Sequence, residues 1–184
     1  MTPGPGYSPG AMRIISIIGR PSAGKTTLLV ALAREFNRRG KRVATIKEAV
    51  APADPDREGS DVWRHYHEGL AEGVLVAAPG GLALFERRSD PADPEALARA
   101  CFGDRDLVLV EGFEKSSLPR IEIFRSSLGP EPLVTSAPDP GLWVALLTDV
   151  LVTGYSFPVL RFTDTMWLQL LASLAWDRAK PLDS

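Results

Sequence analysis

The sequence predicts an α/β three-layer sandwich with a mostly parallel sheet. Short, nearly continuous apolar runs recur along the chain, the pattern of parallel strands buried on both faces. Between several of them lie segments with helical periodicity and helix start signals. A third observation is local. Gly19 and Gly24 bracket four residues and are followed by Lys25 and Thr26, which fits G-x-x-x-x-G-K-[ST] directly after an apolar run and at the start of a helix. That spacing serves phosphate chemistry: a loop of small residues turns its backbone N–H groups inward as an anion nest, and the following helix adds its N-terminal partial positive charge. Gly19, Arg20, Pro21, Ser22, Ala23, Gly24, Lys25, Thr26 and Thr27 are therefore candidate nucleotide-binding residues. Lys25 would reach the β- and γ-phosphates, and the Thr26 hydroxyl would ligate Mg²⁺.

With 184 residues, 45% of them hydrophobic, the chain suits one domain with a sizeable core. We expect a flexible tail over residues 1–11, rich in Pro and Gly, and a single nucleotide-binding domain over 12–184. A net charge of −2 argues against a broad nucleic-acid-binding face, while a small anionic ligand needs only a local positive site. The lone Cys101 excludes an internal disulfide and suits a reducing cytosol. No apolar run approaches the roughly 18 residues of a membrane span, and no signal-like segment opens the chain, so it reads as soluble and cytoplasmic.

In chain order, residues 13–18 form the first buried strand. The helix after the loop carries Leu28, Leu32 and Phe36 on one stripe with Leu29 and Ala33 beside them, and ends at Arg38, Arg39 and Gly40. Residues 42–46 are the next strand and complete a β-α-β unit, with Lys47 at the ligand-bearing carboxyl end. Residues 48–59 form an acidic loop. It is either a solvated connector or a switch loop whose Asp54 or Asp56 holds Mg²⁺ through water. Ser60 caps a short helix with Trp63, Tyr66 and Leu70 on its buried side, and His65 and His67, two apart, point to different faces and make no metal pair.

Residues 73–78 and 81–86 read as a hairpin around Pro79 and Gly80. Asp93 caps a helix with Pro94 at its first position and Leu97 and Cys101 on its apolar side, Cys101 being a small buried residue. Residues 106–110 are a buried parallel strand ending on Glu111 and Gly112, which makes Glu111 the stronger candidate for a second metal-facing acid than Asp106, at the strand's start. A strand-end salt bridge is the plainer reading of Glu111. Residues 120–125 alternate polar and apolar, so an edge strand with one exposed face is expected there. Residues 128–141 should be irregular. Residues 143–147 and 158–162 complete the strands, and Asp164 caps a last helix with Met166, Leu170 and Leu174 on one face, extended by Trp167 and Leu171.

Four stretches together resemble one known family: GRPSAGKTTLLVALAREF, RGKRVATIK, DREGSDVWRHYHEGL and DLVLVEGFEKSSLPRIEIFR. They are similar, in order and spacing, to the adaptor family of molybdopterin guanine dinucleotide biosynthesis, commonly called MobB, over about residues 12–176. The resemblance implies a P-loop NTPase fold and a GTP-binding partner of the nucleotidyltransferase that joins GMP to molybdopterin. It further implies a homodimer, with weak Mg²⁺-dependent GTP hydrolysis at most and with molybdopterin and molybdoenzymes as further partners. Carried over by position, residues 19–27 match the phosphate loop, Lys47 the lysine closing the second strand, and Asp56 the acid of the switch-like loop. Glu111 and Gly112 match the EGF stretch, and Asp149 an aspartate after a late strand that would accept hydrogen bonds from guanine N1 and N2.

The chain departs from that pattern where histidines commonly follow the lysine, having Glu48, Ala49 and Val50 instead, and where Glu114 stands in place of a basic residue, with Lys115 one place later. Two other classes use the same loop. A small-molecule kinase would need an arginine-rich lid, for which Arg87 and Arg88 are the one tight pair outside the first helix, and a metallochaperone NTPase would need a His- or Cys-rich tract.

Overall fold

The structure, a computed structural model, describes residues 11–49, 54–88 and 92–182. The tail expected over 1–11 lies, except for Ala11, outside the described residues. The chain forms two compact units, one of residues 1–48 with 93–184 and one of residues 49–92. The hairpin of the smaller unit makes a sheet of its own.

In the larger unit, β1 (Met12–Ile18), β2 (Val43–Lys47), β5 (Leu107–Glu111), β6 (Arg120–Phe124), β7 (Trp143–Thr148), β8 (Val159–Arg161) and β9 (Lys180–Leu182) build one sheet. Its order is β2-β5-β1-β6-β7-β8, parallel throughout, and β9 pairs antiparallel with Met12–Ile14 of β1. Helices α1 (Lys25–Arg38) and α4 (Trp167–Arg178) cover one face around Ile15, Ile17, Leu109, Ile121 and Leu147. Helix α3 (Pro94–Phe102) covers part of the other face around Ile14, Val108 and Val110. This is the α/β three-layer sandwich with a mostly parallel sheet that the pattern of apolar runs calls for.

The stripe on α1 is buried at Leu28, Leu29, Leu32 and Phe36, each such side chain stabilising the fold by about 1.5–3 kcal/mol. Glu35 is buried with them because Arg38 and Arg39 donate to its carboxylate at 2.7 and 2.8 Å. Helix α1 stops where Gly40 turns to φ +75° and Lys41 N–H bonds back to the Phe36 carbonyl.

Several expectations are corrected by tertiary contacts. β6 is no edge: it lies between β1 and β7 with all five residues buried. Its polar residues are accommodated because hydrogen-bond partners from neighbouring segments satisfy Arg120 and Glu122, which alternation alone cannot reveal. Cys101 is exposed, since α3 turns Pro94, Ala98 and Phe102, at i, i+4 and i+8, toward the sheet. Asp164 does not cap α4. Its carboxylate closes the Arg161 turn at 2.7 Å, Met166 at φ +59° holds the cap position, and Leu171, Ala172 and Ala175 are buried while Met166 and Leu170 are exposed. β9 carries no periodicity of its own and is missing from the sequence reading.

In the smaller unit, Ser60 caps α2 (Asp61–His67) by accepting the Trp63 N–H at 3.2 Å. The antiparallel hairpin of β3 (Gly73–Ala78) and β4 (Gly81–Glu86) turns through Pro79 and Gly80, the glycine at φ +92°. Leu70 was expected on the buried face of α2, yet it follows the helix at φ +52° and is exposed. His65 is exposed and His67 pairs with Asp54 at 2.8 Å.

Candidate functional site

The phosphate loop bridges the carboxyl end of β1 and α1. Its turn needs left-handed backbone at Gly19 (φ +145°), Ser22 (φ +63°) and Gly24 (φ +103°). Gly19 admits no side chain, because a Cβ there would stand 2.4 Å from the Ile123 carbonyl oxygen of β6. Side chains cap α2 and α3, whereas α1 starts at Gly24 with no side-chain cap and no acidic residue in its first turn. Its first N–H groups are thus open to an anion. The Lys25 ammonium donates to the Gly19 and Arg20 carbonyls at 2.7 and 3.1 Å, poised across the loop. The Arg20 guanidinium lies against Gly129, with one terminal nitrogen buried and without a hydrogen-bond partner among the described residues. Such an orphaned donor beside a phosphate loop suits an anionic ligand.

Beside the loop, three residues from distant parts of the chain converge. The Thr26 hydroxyl sits 2.9 Å from both carboxylate oxygens of Glu111, sharing its one proton between them. Lys47, the register partner of Glu111 in the neighbouring strand, places its ammonium 3.3 Å from the same carboxylate. A hydroxyl and a carboxylate are hard oxygen donors that fit Mg²⁺, an ion that keeps several waters and takes one or two protein ligands. No group of three or more metal-binding side chains occurs among the described residues, so the rest of any such ion's shell would come from phosphate and water.

The turn after Glu111 is tightly held. Gly112 (φ +92°) donates to the Ile17 carbonyl at 3.0 Å and accepts the Ser16 hydroxyl at 2.6 Å. Phe113, at φ +55°, donates its N–H to the Glu48 carboxylate at 2.6 Å. Ser16 and Glu48 were not singled out as functional from sequence. Ser16 had a legible signal, a lone hydroxyl within the apolar run IISII, whereas Glu48 stood out only as a departure from a family pattern. Arg125, also missed, bonds the Ala23 carbonyl at 3.4 Å and lies 3.7 Å over the Phe162 ring.

Asp149 follows the end of β7, on the far side of β6 from the loop, and one of its oxygens accepts the Ser126 N–H at 2.9 Å. Asp56 belongs to the smaller unit. There the Ser60 hydroxyl and then the Arg57 backbone N–H, at 2.8 Å, hold its carboxyl below the usual carboxylate range. Asp106 accepts the Arg42 N–H at 2.7 Å and is buried at the opposite end of β5.

A strand, a glycine-rich turn and an uncapped helix, with an acid at the end of the adjacent parallel strand, define a nucleotide-binding P-loop protein. Residues 14–149 match the model of the family described as molybdopterin guanine dinucleotide synthesis protein B. The chain belongs to that family. It is 35% identical over 118 residues to the molybdopterin-guanine dinucleotide biosynthesis adapter protein of Haemophilus influenzae, a match covering 62% of this chain and 65% of the relative. To the protein of the same name from Escherichia coli it is 34% identical over 116 residues, covering 60% and 66%. The matches thus span just under two thirds of those relatives. A crystal structure of molybdopterin-guanine biosynthesis protein B superposes with a TM-score of 0.67 at 27% identity, covering 89% of this chain and 97% of that one. No helix among the described residues is long and apolar enough to cross a membrane.

Proposed function

We propose that the chain is a GTP-binding adaptor that assists the nucleotidyltransferase forming molybdopterin guanine dinucleotide, in the cytoplasm and with Mg²⁺. The observation that carries this reading is the convergence of Lys25, Thr26, Lys47 and Glu111 around a phosphate loop, in a chain of this family. Lys25 would exchange its carbonyl partners for phosphate oxygens, and Thr26 would release Glu111 to face the metal. Mg²⁺ would neutralise charge on the β- and γ-phosphates. Asp149 keeps one oxygen beyond its bond to Ser126 and so could accept guanine N–H donors. Among the described residues none presents itself as positioning an attacking water, so hydrolysis should fall well below the ~1 s⁻¹ of slow ordinary enzymes.

A homodimer is part of the proposal. In the hairpin, Leu75, Leu82 and Leu84 share one face by register and are each at least 60% exposed, a patch suited to a second copy. A small-molecule kinase is the weaker reading. The arginines that its lid would use are engaged within the smaller unit: Arg87 on the Ala71 and Tyr66 carbonyls, Arg88 beside Glu86. The test is a pull-down with GTP and Mg²⁺ against the nucleotidyltransferase and a molybdoenzyme, with GTP turnover measured in parallel. Nucleotide-dependent capture of the transferase with slow turnover is expected. Rapid turnover by the isolated chain, or phosphate transfer to a small acceptor, would overturn the adaptor reading.

A further inference from the structure

The chain turns left-handed twice in succession just after Glu111. Gly112 has φ +92°, and Phe113, which is buried in one cluster with Val110 and Leu118, has φ +55°. For a residue with a bulky side chain that backbone is unfavourable, and it persists where surrounding contacts over-determine it, commonly at functional sites. Here the contacts come from both strands that flank β5. From β1, the Ile17 carbonyl accepts the Gly112 N–H at 3.0 Å and the Ser16 hydroxyl donates to the Gly112 carbonyl at 2.6 Å. On the other side the chain runs on past β2. The Glu48 N–H donates to the Glu111 carbonyl at 2.9 Å, and the Glu48 carboxylate accepts the Phe113 N–H at 2.6 Å. Glu48 packs so closely on the turn that a Cβ at Gly112 would stand 2.7 Å from one of its carboxylate oxygens.

We propose that Glu48 and Ser16 are positioning residues for Glu111: they fix the peptide that follows it, and with it the direction of its carboxylate, without touching nucleotide or metal themselves. The proposal rests on the reading of Glu111 as the acid that faces Mg²⁺. Its carboxylate meets the Thr26 hydroxyl at 2.9 Å and the Lys47 ammonium at 3.3 Å, and a rotation of the backbone behind it would carry it away from both. A metal contact tolerates little such error, because the hydrogen bonds that orient a ligand also set the affinity of the site. Ser16 is fully buried between Ile15 and Ile17, where a hydroxyl is costly unless bonded, and its bond goes to this turn. Glu48 acts through its oxygen more than through its charge. The Phe113 N–H requires an acceptor, which a neutral amide also supplies and an alanine does not.

The test is the GTP affinity of the full chain in Mg²⁺ and in EDTA, whose ratio is the contribution of the metal. Glu48→Ala should lower that ratio about tenfold, with the loss falling on the Mg²⁺ arm. Glu48→Gln removes the same charge but keeps an oxygen for Phe113, so it should retain most of the ratio. Ser16→Ala should shift the ratio as Glu48→Ala does. Glu48 is exposed, so its variants should fold, and a melting temperature checks each of the three. Without nucleotide or metal, the Phe113 amide should exchange with solvent faster in Glu48→Ala than in Glu48→Gln. An unchanged ratio in either alanine variant, whatever its melting temperature, would leave a structural brace and overturn the proposal. So would equal losses in Glu48→Ala and Glu48→Gln, which would assign the effect to charge, a loss of the same size in EDTA, or equal exchange of Phe113 in the two. GTP affinity indifferent to Mg²⁺ in the unmodified chain would instead sink the metal reading of Glu111, and the proposal with it.

Discussion

Replacing Glu111 by Gln tests the joint between nucleotide and metal, because the two consequences have different sizes and opposite dependence on Mg²⁺. In the folded protein the carboxylate accepts Thr26 Oγ1 at 2.9 Å and faces the Lys47 ammonium at 3.3 Å. The Lys47 side chain is 64% exposed, so that pair contributes at most about 1 kcal/mol, and the charge on the Thr26 bond adds about 1 kcal/mol more. Stability should therefore fall by about 1–2 kcal/mol, or roughly 2–8 °C in Tm for a chain of this size. Binding should respond more strongly. A charge-assisted contact to the metal's shell is worth about 1.5–3 kcal/mol, so affinity for GTP with Mg²⁺ should drop about ten- to a hundredfold. Without Mg²⁺ the sign reverses, since removing a negative charge beside the phosphates relieves repulsion, and affinity should hold or rise. Titration of a fluorescent GTP analogue in Mg²⁺ and in EDTA reads both numbers. An unchanged ratio between the two conditions would reduce Glu111 to a strand-end partner of Lys47 and Thr26.

Lys25→Ala should weaken GTP binding about ten- to a hundredfold by calorimetry, and unchanged affinity in a folded variant would refute the role given to the loop. The unmodified chain should prefer GTP over ATP, and Asp149→Asn should cut that preference about tenfold or more in a competition titration; equal affinities before mutation would exclude a guanine-reading carboxylate there. Glu122→Ala leaves the Val134 N–H and the Trp143 indole N–H buried without an acceptor, at about 1–3 kcal/mol each, and frees the partly buried Leu133 N–H, so urea unfolding should show a loss of at least about 2 kcal/mol. Hydrogen bonds from Arg38 and then Arg39 hold the Glu35 carboxyl below the usual carboxylate range. A depressed folded-state value means stability that is fully present above the unfolded value, about 4.3, and lost as pH falls through the folded one. Glu35→Gln should therefore flatten the acid limb of a stability profile below about pH 4, and an unchanged limb would count against the pairing.

Local patterns alone carried much of this protein. The strand, loop and helix around Gly19 and Lys25 are legible because each is set by neighbours in sequence: an apolar run, left-handed glycines, a 3.6-residue stripe. The caps at Ser60 and Asp93 and the PG hairpin turn are local for the same reason. Lys47 and Glu111 could be read as strand-end residues, but that they meet Thr26 depends on β5 lying between β2 and β1. Thr26 and Glu111 are 85 residues apart in sequence, and only the strand order joins them. The alternation in RIEIF is open to two readings, exposure or buried polar groups with partners, and the partners of Arg120 and Glu122 come from segments that no periodicity connects to β6. Tertiary packing likewise chose the face of α3, and with it the exposure of Cys101, because a helix stripe of small residues can turn either way until the sheet beneath selects Ala98 and Phe102.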